Sequence, residues 1–162
     1  MKIQEFRYVV YGDPKLLGEL LFLAFKELDG YSDEFPIDIA GRAPRWGKRT
    51  IRVFPLNKRG FEDIDELFPI DALKECNVFN LEISYSYWKK GKRGYVTKDV
   101  YRVELFYKKS RHVLVITFIR LRGLGRTFPR FLAFLIQKKI TEISYMKKRY
   151  RNIFIKEIPM SY

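Results

Sequence analysis

Leu81 to Leu121 reads LEISYSYWKKGKRGYVTKDVYRVELFYKKSRHVLVITFIRL, and its periodicity decides the fold. Leu81, Ile83, Tyr85 and Tyr87 alternate with Glu82, Ser84, Ser86 and Trp88, while Tyr101, Val103, Leu105 and Tyr107 alternate with Arg102, Glu104 and Phe106. A period of two sends successive side chains to opposite faces, so each run predicts a half-buried strand. Val113 to Leu121 is apolar on both faces, which predicts a central strand and completes a three-strand antiparallel meander.

The flanks supply one more strand and two helices. Ile3 to Tyr11 alternates, with Phe6, Tyr8 and Val10 on one face. Asp13-Pro14 then suits a helix start, because the carboxylate accepts orphan N–H groups and proline at the first position gives up no needed donor. Gly30 suits the stop. Between them Leu16, Leu17, Leu20, Leu21, Leu23, Ala24 and Leu28 leave only Lys15, Glu19 and Lys26 as a wet stripe. Thr127 caps a second long helix whose stripe Phe128, Leu132, Leu135, Ile136, Ile140, Ile143 and Met146 points inward, with Arg130, Lys138 and Lys148 opposite. Pro36, Gly41, Pro44, Gly47 and Pro55 mark Tyr31 to Asn57 as irregular, apart from a short strand at Thr50 to Phe54. Phe61 to Cys76 reads as two short helices broken at Pro69. The expectation is a single α+β domain over residues 1–162: an antiparallel sheet, made of the N-terminal strand plus the meander, packed against two main helices.

Composition bounds the function. With 17% aromatic and 47% apolar residues, the chain carries enough material for a core and is not a disordered polyelectrolyte. Cys76 is the only cysteine, so no internal disulfide or cysteine-based zinc site is available. The apolar windows at Leu20 to Phe25 and Phe131 to Ile136 fall far short of the roughly 20 residues that span a bilayer. No secretory signal follows Met1, which gives a cytoplasmic expectation. Scarce asparagine, glutamine and cysteine beside abundant lysine, arginine and isoleucine match a thermophilic pattern.

The extreme value is a net charge of +13. It is unevenly spread: residues 83–162 hold 20 Lys/Arg against 4 Asp/Glu, whereas residues 1–82 are slightly acidic. In an antiparallel meander the first loop and the exit of the third strand lie at one end of the sheet. KKGKRGYVTK at 89–98 and RLRGLGRTFPR at 120–130 are therefore expected to converge into a basic pole. Its members are Lys89, Lys90, Lys92, Arg93, Lys98, Arg120, Arg122, Arg126 and Arg130, with Tyr95 and Trp88 placed to stack on bases. Gly123 and Gly125 before a helix N-terminus suit either an anion or a plain turn. A separate basic island, Arg42 to Arg59, mixes Arg45, Lys48, Arg49 and Arg52 with Trp46, which serves either for stacking or as an anchor to the core.

Motifs for chemistry are sparse. His112 is the one histidine, and no P-loop, GxSxG or dinucleotide fingerprint occurs, so no cofactor is implied. Glu62, Asp63, Asp65 and Glu66 fit a first-turn helix face, and Ser84 stands where the Asp…Glu-x-Lys pattern of restriction-type nucleases after Asp71 and Glu82 needs its lysine. Phe22 to Gly30, FLAFKELDG, resembles the helix-ending motif of LAGLIDADG homing endonucleases, which implies a metal-binding Asp29. It lacks that family's small interfacial glycine, and Tyr31 to Pro36 does not read as the strand that should follow, so Asp29-Gly30 is read as a helix stop.

Three functions compete on this reading. The leading one is a non-enzymatic nucleic-acid-binding accessory or nucleoprotein component that grips phosphates at the basic pole. The second is a metal-dependent nuclease or nucleotidyl-transfer component, which needs two or three of Asp38, Asp63, Asp65, Asp71 and Glu82 to converge. The third is an assembly module for an acidic protein partner, marked by a large exposed apolar patch beside the charges.

Overall fold

The computed structural model describes residues 3–37, 45–55, 76–89, 92–123 and 129–159. The chain runs β1 (Ile3–Tyr11), α1 (Pro14–Leu28), β2 (Ser32–Ile37), β3 (Arg45–Pro55), β4 (Cys76–Lys89), β5 (Lys92–Lys108), β6 (Val113–Arg122), α2 (Pro129–Met146) and β7 (Phe154–Glu157). All seven strands form one antiparallel sheet in the order β2-β3-β4-β5-β6-β1-β7. Among the described residues the architecture is α+β, with a seven-stranded sheet and two helices.

Alternation decides which face is dry. Phe6, Tyr8 and Val10 of β1, Leu81, Ile83 and Tyr85 of β4, Tyr101, Val103, Leu105 and Tyr107 of β5, and Leu114, Ile116 and Phe118 of β6 are all buried. They join Leu17, Leu20, Leu21, Phe25 and Leu28 of α1 and Leu132, Leu135, Ile136, Ile140 and Ile143 of α2 in one core. Both helices thus cover the same face of the sheet. The described helices leave the other face open.

α1 begins as its sequence dictates. Asp13 Oδ1 accepts from Lys15 N–H at 2.9 Å, and Pro14 opens the first turn. The helix ends with Gly30 at φ +86°, a left-handed conformation that glycine adopts without a Cβ clash. Asp29 is not free for a metal: its Oδ1 accepts from Val53 N–H at 2.9 Å and faces Arg52 Nε at 3.3 Å. The carboxylate latches the end of α1 to β3.

Several expectations need correction. The described residues between Tyr31 and Asn57 are not irregular, since they form β2 and the eleven-residue β3. Pro36 is tolerated because β2 is the sheet edge, where a strand needs ladder bonds on one side only. The absence of a strand after Gly30 was one objection to the homing-endonuclease resemblance, and β2 removes it; the engaged Asp29 carboxylate remains against it. β6 is an interior strand between β5 and β1, as its apolar run leads one to expect, but its second face is half-buried rather than dry. Met146 is 79% exposed and leaves the inward stripe, and Lys148 lies in a 3-10 turn beyond α2. β7 adds a strand that the sequence reading missed. The readings at Thr127, Phe128, Gly125 and residues 61–75 fall outside the described residues. Among the described residues no helix is long and apolar enough to cross a membrane.

Candidate nucleic-acid interface

Strand pairing reorganises the basic residues. KKGKRGYVTK is mostly strand: β4 runs to Lys89 and β5 resumes at Lys92, with Lys89 opposite Lys92 and Trp88 opposite Arg93. The last pair between β5 and β6 is Val100 with Arg122, so Lys92 lies eight residues beyond the end of β6. At roughly 3.3 Å per residue the hairpin overhangs β6 by about 26 Å. Among the described residues, Lys92 of the hairpin and Arg122 at the end of β6 therefore share an end of the sheet without lying side by side.

The neighbour of the hairpin is instead the island. Gly47 pairs with Tyr87, Lys48 with Ser86 and Arg49 with Tyr85, so β3 accompanies β4 into the overhang. β2 follows on the far side, with Glu34 opposite Lys48 and Ile37 opposite Arg45. The island is therefore not separate. β2 to β5 make a four-strand tongue whose outer part holds Arg45, Lys48, Arg49, Lys89, Lys92, Arg93 and Lys98 against Asp33 and Glu34. Trp46 and Tyr95 belong to the same part through the backbone of β3 and β5.

Not every cation there is available. Arg49 lies on the helix-covered face, donates to both oxygens of Asp33 (Nε to Oδ1, 2.9 Å) and sits 4.0 Å over the Phe131 ring. That bidentate bond, ahead of the opposing burial, raises its pKa and fixes it as a tie between β3, β2 and α2. Lys98 faces Glu82 at 3.7 Å across β4 and β5 on the open face, and Arg52 faces Asp29. Both are exposed pairs, which a phosphate can replace at little cost. Lys48 is exposed on the open face and has no ion-pair partner among the described residues.

The residues expected at the exit of β6 disperse. Between Tyr101–Arg120 and Val100–Arg122, β6 advances two residues while β5 advances one, a bulge at Leu121. Arg120 consequently lies on the helix-covered face, where its charge acts on Tyr101, and Arg122 on the open face beside Val100. Arg130 is drawn elsewhere, bonding Glu157 at 2.6 Å and lying 4.5 Å over Phe6. Lys90 and Arg126 fall outside the described residues.

One buried group went unread in the sequence. Asp99 is 1% exposed, accepts from the Tyr85 hydroxyl at 3.0 Å, and continues the alternation Tyr101, Val103, Leu105 on the buried face. Lys98-Asp99 looks like loop composition, yet extending the period of two by one step would have found it. Burial first, and then Asp99, hold the Tyr85 hydroxyl protonated far above the ordinary tyrosine range. Gly123 packs on this carboxylate at φ +111°. A carboxylate so close to Gly123 opposes a phosphate there, so the glycine serves close packing.

Among the described residues no group of three His, Cys, Asp or Glu is arranged to hold a metal. Glu82 faces Lys98, whereas Asp38, Asp63, Asp65 and Asp71 fall outside the described residues. His112 is exposed, at φ +54°, and stacks on Tyr11 at 4.7 Å. No family model, curated protein or solved structure matches the chain. The functional reading therefore rests on the residues themselves.

Proposed function

We propose that the chain is a non-enzymatic nucleic-acid-binding protein that grips phosphates with the β2–β5 tongue. The observation that carries this reading is the pairing of β3 with β4, which sets the island of Arg45 and Lys48 beside the hairpin of Lys89, Lys92, Arg93 and Lys98. The open-face cations Arg52 and Arg122 extend the tract toward the body of the sheet. Phosphate contacts of this kind give affinity without sequence information, which agrees with a chain lacking a base-reading helix motif. Aromatic positions Trp46, Trp88 and Tyr95 in the same strands supply faces on which unpaired bases stack.

Fluorescence anisotropy with labelled single-stranded and duplex DNA and RNA, between 50 and 200 mM salt, tests it. About five neutralised phosphates give a log-log slope near −4.5 on duplex and near −3.5 on single strands, hence a loss of roughly 500-fold or 100-fold over that range. Absence of binding at 50 mM salt on all four probes would sink the reading.

A further inference from the structure

β7 is the outer strand of the sheet, and its ladder is used on one side only. Ile158 N–H donates to Arg7 C=O at 2.8 Å, and Val10 N–H donates to His112 C=O at 2.8 Å. In an antiparallel ladder the bonded pairs alternate, so Phe154 and Lys156 spend their main-chain groups on β1. Ile155 and Glu157 turn theirs to the open edge, where no described residue meets them.

Beside that edge runs an open groove of ≈ 610 Å³ between β7 and the second half of α2. Ile140, Thr141, Ser144 and Tyr145 form one wall, and Ile153 and Ile155 the other. The Gln137 Oε1 at its side is buried and has no hydrogen-bond donor among the described residues. Tyr145 is 81% exposed, Phe154 51% and Phe134 61%. On α2 Phe134, Lys138, Thr141 and Tyr145 recur at helical spacing as one exposed stripe beside the groove, with the two aromatic rings as its apolar members. Large apolar side chains left in water along a groove with a free strand edge mark an interaction surface.

The chemistry selects the occupant. Among the described residues Arg151 is the only charged one lining the groove, Lys156 lies on β7, and Lys138 belongs to the α2 stripe. The nearest acids are engaged, Glu157 with Arg130 and Glu142 with Lys139. A second copy would bring like charges together on a chain of net charge +13. We infer that this face binds an extended peptide segment of a partner protein, alternating apolar and acidic residues, as an eighth strand on β7. Its main chain bonds Ile155 and Glu157, its apolar side chains fill the groove, and its carboxylates on the opposite face meet Lys156. This surface lies outside the tongue, so its fate is independent of nucleic-acid binding.

The probe is a labelled eight-residue peptide alternating valine or isoleucine with glutamate, tested by anisotropy against the full chain. Two control peptides accompany it: one with the same composition in scrambled order, and one N-methylated at alternate residues. Binding is expected to weaken about tenfold or more with either control and with Tyr145→Ala/Phe154→Ala, whose retained fold is checked by an unchanged urea midpoint. Hydrogen exchange at the Ile155 and Glu157 amides is expected to slow on binding. N-methylated peptide binding as well as the unmodified one, or unchanged exchange at both amides, would overturn the inference. Self-association abolished by Tyr145→Ala would also overturn it, assigning the face to a second copy.

Discussion

Gly123 shows how much one residue can decide. A Cβ there would lie 2.0 Å from Asp99 Oδ1 and 2.8 Å from Asp99 Cα, on a backbone at φ +111°. Gly123→Ala is expected to cost about 2–3 kcal/mol, read as a lower urea midpoint with an unchanged m-value. Titration gives a second test at this scale. Burial is the leading cause that raises Tyr8, Tyr31, Tyr85, Tyr101, Tyr107 and Tyr150 above the ordinary tyrosine value. A raised tyrosine contributes stability that is complete below pH 10.0 and lost as pH climbs through its folded value, about 12 for Tyr8. Tyr8→Phe is expected to remove about one proton from the alkaline slope, roughly 1.4 kcal/mol per pH unit between those limits. Glu19 behaves oppositely, its pKa held below 4.5 chiefly by the Arg149 hydrogen bond. Its contribution is present above pH 4.5 and fades as acid reaches the lowered value, so Glu19→Gln is expected to flatten that limb of an acid-unfolding curve.

Elements divide into those whose local pattern matches their tertiary setting and those whose setting overrides it. β1, α1 and the strands around Leu81, Tyr101 and Val113 were legible because alternation, Asp13 and Gly30 all state the same answer that the core enforces. β2 and β3 were hidden by Pro36 and Gly47. The sheet edge excuses the proline, while Gly47 sits buried between Phe35 and Tyr87 with no side chain to register in the pattern. β7 has only four residues and follows a helix with no turn signal between hydrophobic runs. The basic hairpin reads as a loop because composition reports solvation, whereas strand pairing with β3 reports structure. The latch from α1 to β3 is testable at this scale. Asp29→Ala strands Val53 N–H and is expected to cost about 1–2 kcal/mol, while Asp29→Asn keeps an acceptor and stays within about half a kcal/mol of wild type. Equal losses for both would mean that the charge, and not the hydrogen bond, holds the strand.

At the scale of the whole molecule, the seven-stranded sheet separates two surfaces. The tongue gathers cations at one end of β2 to β5, and the edge strand β7 with its apolar groove lies at the opposite margin of the strand order. The excess of charge was legible in the sequence, but its partition was not, because the bulge at Leu121 and the pull of Glu157 on Arg130 are tertiary events. The most direct test compares two variants in the same salt titration on duplex DNA. One removes the tongue cations (Lys48→Ala, Lys89→Ala, Lys92→Ala, Arg93→Ala); the other removes cations elsewhere on the surface (Arg7→Ala, Arg111→Ala, Lys138→Ala, Lys156→Ala). The two remove the same charge. The tongue variant is expected to lose about 3.6 from the log-log slope, near 0.9 per phosphate contact, while the other keeps nearly the wild-type slope. Equal slopes for the two variants would contradict it, leaving net charge and not the tongue as the source of binding.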